Sequence, residues 1–201
     1  MKIQDLMIPD PITIRENASI PEALELMKIN HIRHLPVVSD DKLLLGFVTL
    51  SDLKQGLIPS MVGDVSLTDL MITGPITVSP DDDIEHAAQL IYKHKIGGMP
   101  VVKNNRLAGI ITETDILRAF IDMMGLLTAS SRVDVVLKDE PGSLREALHI
   151  LNECGADIIN VGMTARKSGN RIYHFRLAAC RTNAIKKALE SQGFEVLSAM
   201  D

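Results

Sequence analysis

Two threonine–aspartate pairs, Thr49 with Asp52 and Thr112 with Asp115, stand in matched settings. They are Gly46-Phe47-Val48-Thr49-Leu50-Ser51-Asp52 and Gly109-Ile110-Ile111-Thr112-Glu113-Thr114-Asp115. A glycine before a short β-branched run reads as the start of a strand, and Thr-x-x-Asp reads as its exit into a helix. The simplest chemistry is a capping box, in which the threonine caps the helix and the aspartate reaches back to it. A second chemistry adds a ligand. A helix start carries unpaired N–H groups and partial positive charge, which attract phosphate. A hydroxyl and a carboxylate beside it can exchange hydrogen bonds with the hydroxyls of a ribose. Phosphate in an acidic protein needs cations, and Arg33, Lys54 and Arg118 are the candidates; the alternative is that they are ordinary solvated charges.

Other constellations carry less. The six histidines, at 31, 34, 86, 94, 149 and 174, form no H-x-x-x-H or H-E-x-x-H set, and His31 and His34 lack carboxylate or cysteine company, so no metal site is expected. Cys154 and Cys180 show no metal spacing and read as reduced thiols. There is no G-x-S-x-G and no P-loop, and the ten methionines read as core filling.

The elements that position the two motifs follow from an internal duplication. Asp5-Leu6-Met7-Ile8 and Pro11-Ile12-Thr13-Ile14 return as Asp69-Leu70-Met71-Ile72 and Pro75-Ile76-Thr77-Val78, and Pro36-Val37-Val38 returns as Pro100-Val101-Val102, all 64 positions on. After a one-residue deletion in the second turn, Gly46 answers to Gly109 and Asp52 to Asp115. In the first unit Ile12 to Ile14 reads as a strand, and Ser19 as the cap of a helix with Pro21 and Glu22 in its first turn. Ile20, Ala23, Leu24 and Met27 form that helix's buried face. Leu35 to Val38 and Leu44 to Thr49 are strands around a polar turn, and a helix begins near Ser51 or Asp52. The second unit repeats this order: Ile76 to Val78, a helix from about Asp83 to His94, Met99 to Val102, Leu107 to Thr112, and a helix from about Thr114. Each β-α-β-β-α unit of about 60 residues is too small to bury its sheet alone, so the two should pack together and create two equivalent clefts.

Beyond Asp122 to Ser131 the pattern changes, and residues 126–131 read as a linker. Arg132 to Leu137 alternates as a strand, Asp139 to Leu144 turns into a helix, and Gly155 suits its C-terminal cap. Ile158 to Ala165 and Ile172 to Ala179 are strands joined by the turn Lys167-Ser168-Gly169-Asn170. A helix from about Thr182 to Gln192 and a strand from Phe194 to Ser198 complete β-α-β-β-α-β, a ferredoxin-like order.

Composition excludes several functions. With 46% apolar residues, 23% charged residues and a net charge of -5, the chain suits a globular protein and not a sequence-independent nucleic-acid binder. Aromatic residues at 3%, with no tryptophan, leave no platform for base stacking. No apolar run reaches signal-peptide or membrane-span length, so the expectation is a soluble cytoplasmic protein without a membrane partner.

The doubled D-L-M-x-x-x-P-I-T, P-V-V and G-h-h-T-x-x-D resemble a tandem pair of CBS domains, a Bateman module, over residues 1–124. The fold class expected is α+β: repeats at 1–63 and 64–125 related by a pseudo-two-fold axis, then a further domain at 132–201. The resemblance implies clefts that bind adenine nucleotides (AMP, ADP or ATP), or S-adenosylmethionine or NAD, and no catalytic cofactor. Carried over by position, it puts Asp52 and Asp115 on ribose with Thr49 and Thr112 beside them. The base then lies against Thr13, Ile14, His34, Leu35 and Pro36, or against Thr77, Val78, Gly98, Met99 and Pro100. The clefts need not be equivalent, since Arg33-His34 is replaced by Gly97-Gly98 and Lys54 and Arg118 follow their aspartates at different spacings.

The D-x-P-G-x-L turn at Asp139 to Leu144, in its ferredoxin-like setting, resembles an ACT domain. That family implies pairing into a homodimer and small effectors bound near Asp139, Gly142, Ser143, Leu144 and Asn160. Two CBS repeats followed by an ACT domain resemble the order in acetoin-utilisation proteins. The function expected is a non-enzymatic regulatory sensor whose nucleotide alters docking of the ACT domains or of an unknown regulated protein. Two alternatives stay open: a structural dimerisation module with empty clefts, and an enzyme or accessory subunit of a metabolic enzyme. CBS pairs occur inside inosine monophosphate dehydrogenases, but the (β/α)-barrel and cysteine loop of that enzyme have no room in 201 residues.

Overall fold

A computed structural model describes residues 1–56, 65–165 and 170–201. The chain divides into two compact units, Met1–Leu117 and Arg118–Asp201. Of the turn read at Lys167 to Asn170, residues 167–169 lie outside the described residues, as does the boundary read between 63 and 64.

In the first unit a 3-10 turn at Ile3–Asp5 leads to β1 (Ile8–Pro9), α1 (Ile20–Ile29), β2 (His34–Val38), β3 (Leu44–Thr49) and α2 (Leu50–Gly56). The same succession follows as α3 (Leu67–Leu70), β4 (Ile72–Thr73), α4 (Ile84–His94), β5 (Gly98–Lys103), β6 (Arg106–Thr112) and α5 (Glu113–Met123). Helix α1 starts where expected: Glu22 N–H donates to Ser19 Oγ at 3.3 Å, and Ser19 N–H donates to the Glu22 carboxylate at 2.7 Å. Its Ile20, Ala23 and Met27 are buried with Leu35, Val37, Val48 and Leu53.

The strands expected at Ile12 to Ile14 and Ile76 to Val78 each shrink to one parallel bridge, Ile14 with Val37 and Val78 with Val101. Ile14 N–H donates to Pro36 O at 3.0 Å and Val38 N–H to Ile14 O at 3.0 Å. The next rung back would need an N–H from Pro36, and in the second repeat from Pro100, which proline lacks.

Two short strands that periodicity does not reveal do more to shape the unit. β1 pairs antiparallel with β6 of the second repeat, Ile8 opposite Ile110 and Pro9 opposite Gly109. Reciprocally, β4 pairs with β3 of the first repeat, Phe47 opposite Ile72 and Gly46 opposite Thr73. The sheets are β1-β6-β5 and β2-β3-β4, so each repeat completes the other's sheet. The exchange extends further: Ile3 N–H donates to Asp82 O at 2.9 Å, Lys2 pairs with Asp83 at 2.9 Å, and Leu67 packs in the core of the first repeat.

This crossing explains the glycine that opens each motif. A Cβ on Gly109 would stand 2.8 Å from Met7 Sδ and 2.9 Å from Ile8 O; on Gly46 it would stand 2.6 Å from Met71 Sδ and 3.2 Å from Ile72 O. The Met7 and Met71 thioethers can swing aside, but the Ile8 carbonyl belongs to the exchanged strand. Gly109→Ala is therefore expected to cost about 1–3 kcal/mol and to lower the melting temperature more than Gly46→Ala. Thermal unfolding of the two variants checks the order, and equal shifts would contradict it.

The second unit comprises β7 (Ser130–Leu137), α6 (Ser143–Glu153), β8 (Ile158–Ala165), β9 (Arg171–Ala178), α7 (Thr182–Ser191) and β10 (Glu195–Met200). Strand β7 begins at Ser130, inside the stretch read as linker. All pairings are antiparallel in the order β10-β7-β9-β8, the ferredoxin-like arrangement. Gly142 and Gly155 take the left-handed conformation, φ 101° and 71°, at the two ends of α6. One sheet face buries Val133, Val135, Phe175 and Leu177 against Ala147, Leu151, Ile185 and Leu189. The alternate positions include a polar group of Arg132, Asp134 and His174: Asp134 accepts from Arg132 Nε and lies 2.8 Å from His174 Nδ1. Burial opposes ionisation of Asp134, but the Arg132 and His174 bonds outweigh it and hold the carboxyl below its ordinary range.

Candidate functional site

Both motifs fold as the capping boxes their spacing allows. Thr49 N–H and Oγ1–H donate to Asp52 Oδ2 at 3.0 and 2.7 Å, and Asp52 N–H donates back to Thr49 Oγ1 at 3.3 Å. Thr112 and Asp115 repeat this at 2.9, 2.6 and 3.4 Å. In each motif both bonds to the carboxylate fall on Oδ2. Among the described residues nothing bonds either Oδ1, so one oxygen per carboxylate stays available while the other holds the helix.

Each motif borders a cavity whose opposite wall comes from the other repeat. The first, about 560 Å³, is lined by Thr49, Leu50, Ser51, Asp52 and Lys54 together with Ile72, Pro75, Ile76 and Lys95 to Gly98. The second, about 280 Å³, is lined by Thr112, Thr114 and Asp115 together with Ile8, Pro11, Ile12 and His31 to His34. The exchanged strands bring these walls together. After each of them the chain bends at a left-handed residue, Asp10 (φ 43°) or Gly74 (φ 64°), and Pro11-Ile12 or Pro75-Ile76 then runs past the other repeat's aspartate.

The two walls differ in composition. Where the second cavity is walled by Arg33 and His34, the matching wall of the first is Gly97 and Gly98. Arg33 and His34 also border the first cavity, so both side chains are shared between the two. The His34 ring stacks on Phe47 (centroids 5.7 Å apart, 14° between planes), and a Cβ on Gly97 would lie 3.0 Å from its Nε2. Arg33 reaches Glu113 across the repeats at 3.6 Å.

Of the residues expected at the clefts, Arg33, His34, Thr49, Asp52, Lys54, Gly98, Thr112 and Asp115 border a cavity. Thr13, Ile14, Leu35, Pro36, Thr77, Val78, Met99 and Pro100 border neither, and of these Ile14, Leu35, Pro36, Val78, Met99 and Pro100 are buried in the packing between helices and sheets. Arg118 is exposed on α5, one turn past Asp115, and borders neither cavity. Pro11, Ile12, Pro75, Ile76 and Lys95 were missed. Their repeat partners were visible, but grouping each Pro-Ile with its own repeat's motif hides the crossing. In the second unit Asp139 pairs with Arg171 at 3.0 Å, Gly142 and Ser143 begin α6, Leu144 packs on the core, and Asn160 Nδ2 donates to Met123 O at 3.1 Å. The structure does not gather these five around either cavity.

Among the described residues no group of three His, Cys, Asp or Glu could hold a metal ion, and no helix is long and apolar enough to cross a membrane.

The CBS domain family matches residues 3–58 and 62–122, more than half of the chain. This protein belongs to the CBS domain family, as a tandem pair. A putative acetoin utilization protein from Vibrio cholerae is 34% identical and superposes with a TM-score of 0.56 over 63% of this chain and 94% of that one. The CBS domain pair of protein MJ0100, solved with 5'-methylthioadenosine and S-adenosyl-L-methionine, is 32% identical (TM-score 0.56, 60% and 95% covered). CBSX2 of Arabidopsis thaliana, solved with AMP, is 30% identical (TM-score 0.54, 61% and 97% covered). Among curated relatives, homoserine O-acetyltransferase of Methanohalobium evestigatum is 38% identical over 117 residues, 58% of this chain but 23% of that protein. The chain thus spans about a quarter of the length of that relative.

Burial holds the His34 imidazole below its ordinary value of 6.5, Arg33 adds to this, and Glu113 and Asp52 pull the other way. The folded state therefore prefers the neutral ring. Its contribution is fully present above 6.5 and is lost as pH falls from 6.5 toward the lowered folded value, because the unfolded chain takes the proton first. Melting curves between about pH 7.5 and about pH 5.5 should fall less steeply for His34→Gln than for the native chain. Identical slopes would contradict this reading.

Proposed function

We propose that this protein is a cytoplasmic, non-enzymatic regulatory sensor that takes adenine nucleotide in the two clefts of its CBS pair. The observation that carries the reading is the repeated juxtaposition of an aspartate with a free carboxylate oxygen and an apolar Pro-Ile wall from the other repeat. Asp52 and Asp115 accept from the ribose hydroxyls through Oδ1, while Ile76 and Ile12 flank the base. His34 and Phe47 add stacking surface in the first cleft, where Phe47 lines the wall. The AMP complex of CBSX2 and the adenosyl complexes of MJ0100 support this ligand class, with AMP, ADP or ATP first and S-adenosylmethionine or NAD as alternatives. Nucleotide binding then alters the docking of the C-terminal unit or of a regulated protein, through a coupling of about 1–3 kcal/mol.

Calorimetric titration with AMP tests the ribose assignment. Asp52→Asn and Asp115→Asn keep an oxygen for the capping box but remove the charge, so each is expected to weaken one cleft at least tenfold with the unliganded melting temperature nearly unchanged. Native affinity in both variants would overturn the assignment.

The second unit we read as an ACT-like domain over residues 132–201, with Asp139, Gly142, Ser143, Leu144 and Asn160 as its effector positions. Its ferredoxin-like order and the Asp139 to Leu144 turn support that reading, as does the edge strand β8, which among the described residues has a strand neighbour on one side only. From Ile158 to Ala165 this edge carries no charge and no proline, and Ile159, Val161 and Met163 are exposed. Such an edge invites pairing with a second strand, and a second copy of this chain in antiparallel register makes a homodimer. Light scattering should report a dimer that Val161→Lys converts to monomer; a monomeric native chain would refute it.

A further inference from the structure

The two clefts are made by equivalent segments, yet their charge differs. Arg33, Lys54 and Lys95 border the first cavity, against Asp52 and Glu113. Glu113 is engaged by Arg33 at 3.6 Å, and among the described residues no carboxylate pairs with Lys54 or Lys95. Two lysines with no carboxylate partner among the described residues thus border one cavity in a chain whose net charge is -5. They come from different repeats. Lys54 stands two residues past Asp52 on α2, and Lys95 closes α4 in the left-handed conformation, φ 53°, with its N–H bonded to Ile91 O.

The second cavity lacks both. The residue equivalent to Lys54 is Leu117 and that equivalent to Lys95 is His31. Apart from histidines, its charged lining among the described residues is Arg33 and Asp115, and its volume is half as large, about 280 against 560 Å³. The first side thus has both more room and more positive charge: Gly97-Gly98 stand there where Arg33-His34 stand on the other, and Lys54 and Lys95 replace Leu117 and His31.

We propose that the first cleft selects adenosine di- or triphosphate, with Lys54 and Lys95 on the β- and γ-phosphates, and that the second holds adenosine or its monophosphate. This rests on the nucleotide reading above and adds a division of labour to it. Terminal phosphates carry charge that a lysine ammonium contacts as a point charge without a fixed fork geometry. Such contacts at an open cleft weaken as salt shortens the screening length.

The test is titration of AMP and ATP in a magnesium-free buffer, with the ratio of their dissociation constants as readout. The native chain is expected to bind ATP at least tenfold tighter than AMP at low salt, and the ratio should shrink at high salt. Lys54→Gln/Lys95→Gln should bring the ratio near unity, whereas Lys186→Gln in the second unit should not move it. Asp52→Asn should abolish the ATP preference and Asp115→Asn should preserve it. A native ratio near unity, a ratio unmoved by the double substitution, or a preference that follows Asp115 overturns the proposal while AMP binding leaves the nucleotide reading standing. Failure of both nucleotides to bind overturns the two together.

Discussion

The reciprocal strand exchange is the constraint on which the first unit depends. A repeat of this size cannot cover its own sheet, and each repeat here resolves that by lending two residues to the other, Ile8–Pro9 to β6 and Ile72–Thr73 to β3. The lending demands a close approach, which is why glycine stands at 46 and 109, where a methyl group would meet the visiting strand. The residues that follow the exchanged strand, Pro11-Ile12 and Pro75-Ile76, are thereby delivered to the opposite repeat's aspartate. Packing and binding geometry have the same origin: the contact that closes each sheet also builds the second wall of each cavity.

On the proposed reading, a structural and a functional role share each aspartate side chain. One carboxylate oxygen closes the capping box, satisfying the threonine N–H at the start of a helix, and the other has no bonding partner among the described residues, on a side chain that borders the cavity. The cap fixes the rotamer, so the free oxygen is held in place before any ligand arrives, and less ordering entropy opposes binding. The capping box and the proposed ligand contact therefore do not compete for the same oxygen.

Much of this was legible in the residues. Duplication, helix spans and the capping boxes follow from local chemistry, since Ser19 with Glu22 and Thr49 with Asp52 act over three positions. The ferredoxin-like order of the second unit follows from alternation and from Gly142 and Gly155 at the ends of α6. What stayed hidden was non-local. A two-residue strand such as Ile72–Thr73 has no periodicity to detect, and nothing local says that it pairs with Phe47 and not with Ile110. The sequence places the expected base contacts within one repeat, at positions including Ile14 and Leu35, which are buried in the core. The asymmetry at Arg33-His34 and Gly97-Gly98 was visible as a difference, but its effect on cavity size needed the crossing.

The most direct measurement of the crossed architecture follows the isoleucine methyl groups of Ile12 and Ile76 by NMR as AMP is added to the native chain and to Asp52→Asn. Crossed clefts predict that both methyl groups shift in the native chain and that the substitution suppresses the shift of Ile76, 24 positions away and in the other repeat, while Ile12 still responds. Loss of the Ile12 response with Ile76 unaffected would mean that each cleft is built within a single repeat, and would contradict the account.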